Sequence, residues 1–183
     1  MKIRTIKAVL VWVTFTFLYG CGHAHVQTDI PVQDFTGYQR ILINKVKVYS
    51  NEEAAKDNLA LHEKIKVWGS FSRNQLERYV NNSEYQLISL IADANEDTLI
   101  IDLDVNVRYG NRALRWIASF GAGKGEVDSI LTVTDAATYE IKFRGKASSD
   151  LLTGITGGDM GSVLEKNVEK QIAHFKAVQL KSL

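Results

Sequence analysis

Between residues 98 and 108 the chain reads TLIIDLDVNVR, and the alternation in it is strict. Leu99, Ile101, Leu103, Val105 and Val107 fall on one side; Asp102, Asp104, Asn106 and Arg108 fall on the other. Successive side chains of a strand point to opposite faces, so this segment predicts a strand with one buried and one polar face. A sheet built around it needs cover on a single face, which amphipathic helices supply.

The remaining elements fit that plan. Residues 126–134 and 138–147 repeat the alternation, with Val127, Leu131 and Val133, then Tyr139, Ile141 and Phe143, expected inward and residues 135–138 as the hairpin turn. Residues 38–49 (YQRILINKVKVY) form a β-branched run whose phase changes near Asn44, predicting a bulge or a strand buried on both sides. Residues 85–91 predict a short strand and 92–97 a polar turn. After a charged, Ala-rich lead-in at 51–61, Ile65, Trp68, Leu76 and Tyr79 recur near a 3.6 period, with Gly69 as an interruption and Asn81-Asn82-Ser83 as the end. Residues 148–161 read as a Gly-rich loop. Ser162 and Glu165 then form a capping box before a helix with Leu164, Val168, Ile172 and Phe175 on one face. The expectation is an α/β two-layer sandwich: a mostly antiparallel sheet of about five strands with two amphipathic helices on one face, spanning 38–183 as a single domain.

The start of the chain predicts an address. Lys2, Arg4 and Lys7 precede the uncharged apolar run AVLVWVTFTFL, which is shorter than the roughly 20 residues a membrane span needs. A basic start followed by a short apolar core reads as a secretory signal over residues 1–20. Leu18-Tyr19-Gly20-Cys21 resembles the bacterial lipobox, with Tyr19 where a smaller residue is usual. Cys21 is the chain's single cysteine, so no internal disulfide exists, and lipidation accounts for an exported thiol. Residues 21–37, with the only proline, Pro31, are then expected to be a tether between lipid and domain. Its His23 and His25 lack acidic or thiol partners and are expected to bind no metal. Without Lys2, Arg4 and Lys7, nineteen bases face 21 acids and the net charge is −2, the wrong sign for a nucleic-acid binder.

Three stretches imitate known chemistry. SFGAGKGEV (119–127) resembles a P-loop, but Ala118 stands where the first Gly is needed and Gly125 where the metal-binding hydroxyl is needed. A strand, not a helix, follows, so no nucleotide site is expected. Asp93, Asn95, Asp97 and Asp104 match positions of an EF-hand loop, but Thr98 replaces its turn glycine, and a polar turn is expected. Asp102 and Asp104 share a strand face, where cross-strand charge pairing is the expectation. His62 and His174 have no nucleophile or acid set around them, so no catalytic residues and no cofactor are expected.

Residues 110–124 (GNRALRWIASFGAGK) form a connection far longer than a hairpin loop, and long structured connections tend to carry function. Arg112, Arg115, Trp116 and Lys124 are the candidate partner-binding residues, since arginine and aromatic side chains dominate interaction hot spots. The alternative is that the segment holds a small ligand or anion.

GNRALRWIASFGAGKGEV, followed by TVTDAATYEI, resembles the signature of a family of uncharacterised Gram-negative lipoproteins. In that family a Gly-x-Arg-x-Leu-Arg segment leads into Phe-Gly-Ala-Gly-Lys, then a strand, then an Asp-Ala-x-Thr-Gly turn. The resemblance covers roughly residues 38–178; Tyr139 stands where the turn usually has Gly. It implies a lipid-anchored domain without an assigned activity. Its architecture is similar to that of curli-secretion-type and polysaccharide-export lipoproteins, several of which form rings. The expectation is a non-catalytic lipoprotein in the periplasmic leaflet of the outer membrane. Gly22 after the cysteine resembles outer-membrane sorting. The expected partners are the membrane, through Cys21, and envelope proteins or further copies of the chain.

Overall fold

The computed structural model describes residues 24–30, 34–52, 58–108, 125–151 and 159–182. Six strands and two long helices are seen there: β1 (Ala24–Ile30), β2 (Arg40–Tyr49), α1 (Leu59–Asn81), β3 (Gln86–Ile88), β4 (Thr98–Arg108), β5 (Gly125–Asp135), β6 (Ile141–Leu151) and α2 (Met160–Ser182). They form one sheet in the order β1-β6-β5-β4-β2-β3. The β1–β6, β6–β5 and β5–β4 pairs are antiparallel; β2 runs parallel to both β4 and β3. Both helices pack on one face, α1 over β2 and β3 and α2 over β5, β6 and β1. The two-layer α/β fold is therefore as expected, with one strand more than anticipated.

The alternation at Thr98–Arg108 is what the structure buries. Leu99, Ile101, Leu103, Val105 and Val107 are fully covered, and their β5 partners Val127, Leu131 and Val133 continue the same layer. The phase change in β2 is a bulge: its register on β4 shifts between Ile43 and Lys45, and the extra residue, Asn44, donates from Nδ2 to Asp102 Oδ1 at 2.9 Å. On the open face Lys45 meets Asp104 at 3.0 Å, and Arg108 pairs with Glu126 and Asp128 across the β4–β5 ladder. Asp102 and Asp104 are thus engaged in the cross-strand contacts expected of a charged sheet face.

Several expectations are corrected. Residues 24–30 are not tether: they add an edge strand antiparallel to β6, and Phe35 is buried against Phe175 with ring centroids 5.7 Å apart. Residues 148–151 extend β6 instead of opening a loop. Only Gln86–Ile88 of residues 85–91 pair as a strand. α1 begins at Leu59, where Asn58 Oδ1 accepts from the Leu61 N–H at 3.0 Å. α2 is capped by Asp159, not by the Ser162–Glu165 box. The Asp159 carboxylate accepts the N–H groups of Gly161 and Ser162 at 3.0 and 3.2 Å, and a carboxylate also suits the positive end of the helix dipole. Tyr139, expected inward, is 73% exposed and sits at φ 59, a left-handed turn conformation that glycine adopts more readily.

Two glycines separate space from strain. Gly69, expected to interrupt α1, lies inside it with nothing within 4 Å of where a Cβ would stand. At Gly145, on β6, a Cβ would come 2.8 Å from the Phe143 ring and 2.9 Å from Gln171 Nε2. The same substitution should therefore act with opposite signs. Gly69→Ala is expected to stabilise by about 0.5–1 kcal/mol through helix propensity. Gly145→Ala is expected to destabilise by about 1–3 kcal/mol through overpacking. Denaturant titration of each variant reads both signs.

Candidate functional site

Among the described residues a cleft lies between α1 and α2. Its floor is the turn at 35–39 and the segment after α1; its walls are the last turns of α1 and residues 169–179 of α2. It encloses about 660 Å³. All of these pieces gather at one end of the sheet, where Arg40 opens β2 beside Thr98 and Gln86. The other end carries Ala24 of β1, Arg108 of β4, Gly125 of β5 and Leu151 of β6.

Three tyrosines line the cleft, and their hydroxyls are hydrogen-bonded. Tyr79 OH donates to Gln179 Oε1, and Gln179 Nε2 donates to Tyr85 OH at 3.0 Å, so one amide of α2 links both phenols. Tyr79 also stacks edge-on against Phe175, with centroids 5.8 Å apart. Burial raises the phenol pKa of Tyr79, and the neighbouring Tyr85 adds to it. Burial and then Glu84 raise that of Tyr85. Tyr38, on the lip, donates to Asp135 Oδ2; burial, then this hydrogen bond and the carboxylate charge, raise its pKa. For Asp135, burial works against the charged form. Hydrogen bonds from Tyr38 and from the N–H groups of Thr138 and Ala137 outweigh it and hold the carboxyl below its usual range.

Charges of both signs ring the opening. Arg78 on α1 and Lys176 on α2 are exposed, as are Glu84 and Glu169, and none of the four forms an ion pair within the described residues. Gly37, at φ +92, brings bare backbone to the floor, with open space where a Cβ would stand.

This cleft was not anticipated from the sequence. Of its aromatic residues only Tyr79 stood out, and then as part of a helix stripe. The anticipated residues Cys21, Arg112, Arg115, Trp116 and Lys124 fall outside the described residues. The EF-hand imitation does not converge, since Asp93 ends a short 3-10 turn, Asn95 Oδ1 accepts from Thr98 Oγ1 at 2.8 Å, and Asp104 faces Lys45. Among the described residues no group of three or more His, Cys, Asp or Glu side chains is placed to hold a metal ion. His174 instead lies with Nε2 2.7 Å from Thr28 Oγ1, tying α2 to β1.

By architecture the domain is an open mixed sheet with two helices on one face, and a solved structure shares that layout. The chain is similar to the PelC dodecamer from Paraburkholderia phytofirmans, with a TM-score of 0.51 and 10% identity over 82% of this chain and 95% of that one. It is similar more loosely to the hypothetical protein CT253 from Chlamydia trachomatis, with a TM-score of 0.45 and 8% identity over 78% and 99% of the two chains. At 10% identity the likeness to PelC is one of fold. No protein-family model and no curated protein sequence matches the chain.

The phenols carry a pH signature. In the unfolded chain tyrosine ionises near pH 10. In the folded protein Tyr38, Tyr79 and Tyr85 stay protonated to higher pH, so their contribution is complete below pH of about 10 and is lost as pH rises beyond it. Thermal melts of the wild type should therefore fall in midpoint above that pH, and Tyr79→Phe should flatten the fall. An identical alkaline slope in the variant contradicts the assignment.

Proposed function

We propose that this chain is a lipoprotein of the outer membrane, facing the periplasm, that acts without chemistry of its own by assembling with further copies or with envelope proteins. The observation that carries the reading is the coincidence at Cys21: a basic start, a short apolar run, a lipobox-like Leu-Tyr-Gly and the chain's one cysteine. Among the described residues no helix is long and apolar enough to cross a membrane. Assembly is supported by the fold likeness to PelC, which was solved as a dodecamer.

Only Gly22 and His23 separate Cys21 from β1. An extended chain covers at most about 3.6 Å per residue, so a lipid on Cys21 would hold the Ala24 end of the sheet within about 10 Å of the leaflet. The segment 109–124 departs from Arg108 and returns at Gly125, at this same end. The proposed contacts through Arg112, Arg115, Trp116 and Lys124 would then form close to the membrane, and the cleft would face away from it.

Stable anchoring needs more than one acyl chain, each buried CH₂ contributing about 0.8 kcal/mol. Cys21→Ala is expected to abolish lipidation and processing at this site, moving the protein out of the membrane fraction and changing its mature mass. Wild-type mass and partition in the variant contradict the anchor. Arg112→Ala combined with Arg115→Ala is expected to reduce crosslinked assembly while changing stability by no more than about 0.5 kcal/mol. Unchanged assembly with unchanged melting would remove these arginines from the interface.

A further inference from the structure

We propose that the cleft between the ends of α1 and α2 binds short peptides by capturing their charged termini around an apolar side chain, an activity separate from the anchoring and assembly reading above. Volume sets the scale: about 660 Å³ lies within the range of pockets that enclose small ligands, roughly 300–1,000 Å³. The lining sets the class. Tyr79 and Tyr85, both half-buried, present aromatic surface to the cleft, backed by the buried Phe35. The phenols of Tyr79 and Tyr85 already bond Gln179, so the floor offers mainly ring surface to an incoming group. Such a floor suits an apolar or aromatic side chain.

The charges narrow it further. Arg78 and Lys176 come from opposite walls, and Glu84 and Glu169 share the same opening, all four exposed and outside any ion pair described. An uncharged ligand would use none of them. A simple anion would meet Glu84 and Glu169 as well as the bases, and a simple cation would meet Arg78 and Lys176. A zwitterion satisfies both signs at once: its carboxylate takes the Arg78 guanidinium, which is built for two-pronged contact, and its ammonium takes a glutamate. Between the termini, the amides of Gln75 and Asn82 and the Cβ-less backbone at Gly37 leave donors, acceptors and room for a peptide main chain. Capture of free peptide termini is an established recognition mode that relies on these ingredients.

The test is calorimetric titration of the detergent-solubilised full chain with the tripeptide Ala-Phe-Ala. Binding with Kd of about 1 mM or tighter is expected for the peptide with free termini. The same peptide, N-acetylated and C-amidated, should bind at least about tenfold more weakly, as should the free peptide to an Arg78→Gln, Lys176→Gln variant. Both side chains are exposed, so the variant's melting midpoint should match wild type and keep a loss of binding interpretable. The proposal is overturned if about 10 mM free peptide gives no binding heat, given that Kd scale, or if the capped peptide binds equally. Unchanged affinity in a folded double variant also overturns it. None of these outcomes depends on Cys21, so failure here leaves the anchoring reading standing and the reverse also holds.

Discussion

The carbonyl of Gly145 is where the layers of this domain are tied together. It accepts from Gln171 Nε2 at 2.6 Å, deep beneath α2, while the residue itself pairs with Leu131 on β5 and Thr28 on β1. The β1 register shifts just beyond, between Thr28 and Ile30. A Cβ at this position would press on the Phe143 ring and on Gln171 Nε2, the donor of this bond. One turn earlier on α2, Asn167 completes the clamp. It donates to the Val127 carbonyl at 3.1 Å and to Ser149 Oγ at 2.9 Å, and accepts from Ser129 Oγ at 2.6 Å. Each such bond adds only about 0.5–1.5 kcal/mol net, but breaking one strands a buried polar partner at a cost of about 1–3 kcal/mol. The amides therefore set the register of helix on sheet more than they add to stability.

That register reaches the cleft. Two turns beyond Gln171, Gln179 links Tyr79 and Tyr85, and Phe175 between them stacks on Phe35, Tyr79 and Phe143. A slide of α2 along the sheet would separate Gln179 from both phenols and close or splay the walls. The floor of the cleft is thus an extension of the core, while the charged opening is free of structural duty. Such a division suits a recognition site: rigid apolar support beneath, accessible charges above.

Much of the sheet was legible because period-2 alternation is hard to imitate: Thr98–Arg108 is a strand over its full predicted length, and the phase slip at Asn44 is a bulge. β1 was hidden because HVQTDI offers few apolar residues to an edge position, so it reads as polar linker. Asn167, Gln171 and Gln179 were hidden for the opposite reason: amides at helical spacing read as a solvent face, yet all three are buried here. Tyr139 in its turn was not legible because nothing local distinguishes a tyrosine at positive φ from one in a strand. The cleft was invisible for a topological reason. Its residues come from the 35–39 turn, both helices and the segment before β3, and no local pattern joins them.

The proposed function hinges on orientation: a lipid on Cys21, followed almost at once by β1, would lay the Ala24 end of the sheet on the leaflet and hold the cleft toward the aqueous side. Asp150, near that end of β6, and Tyr139, in the turn beyond its other end, are both exposed and about 30 Å apart by strand rise. Fluorophores attached at these two positions in proteoliposomes, with nitroxide quenchers in the lipid, measure the orientation directly. Strong quenching at Asp150 and little at Tyr139 is the expected result. Equal quenching at both positions, or stronger quenching at Tyr139, would contradict it.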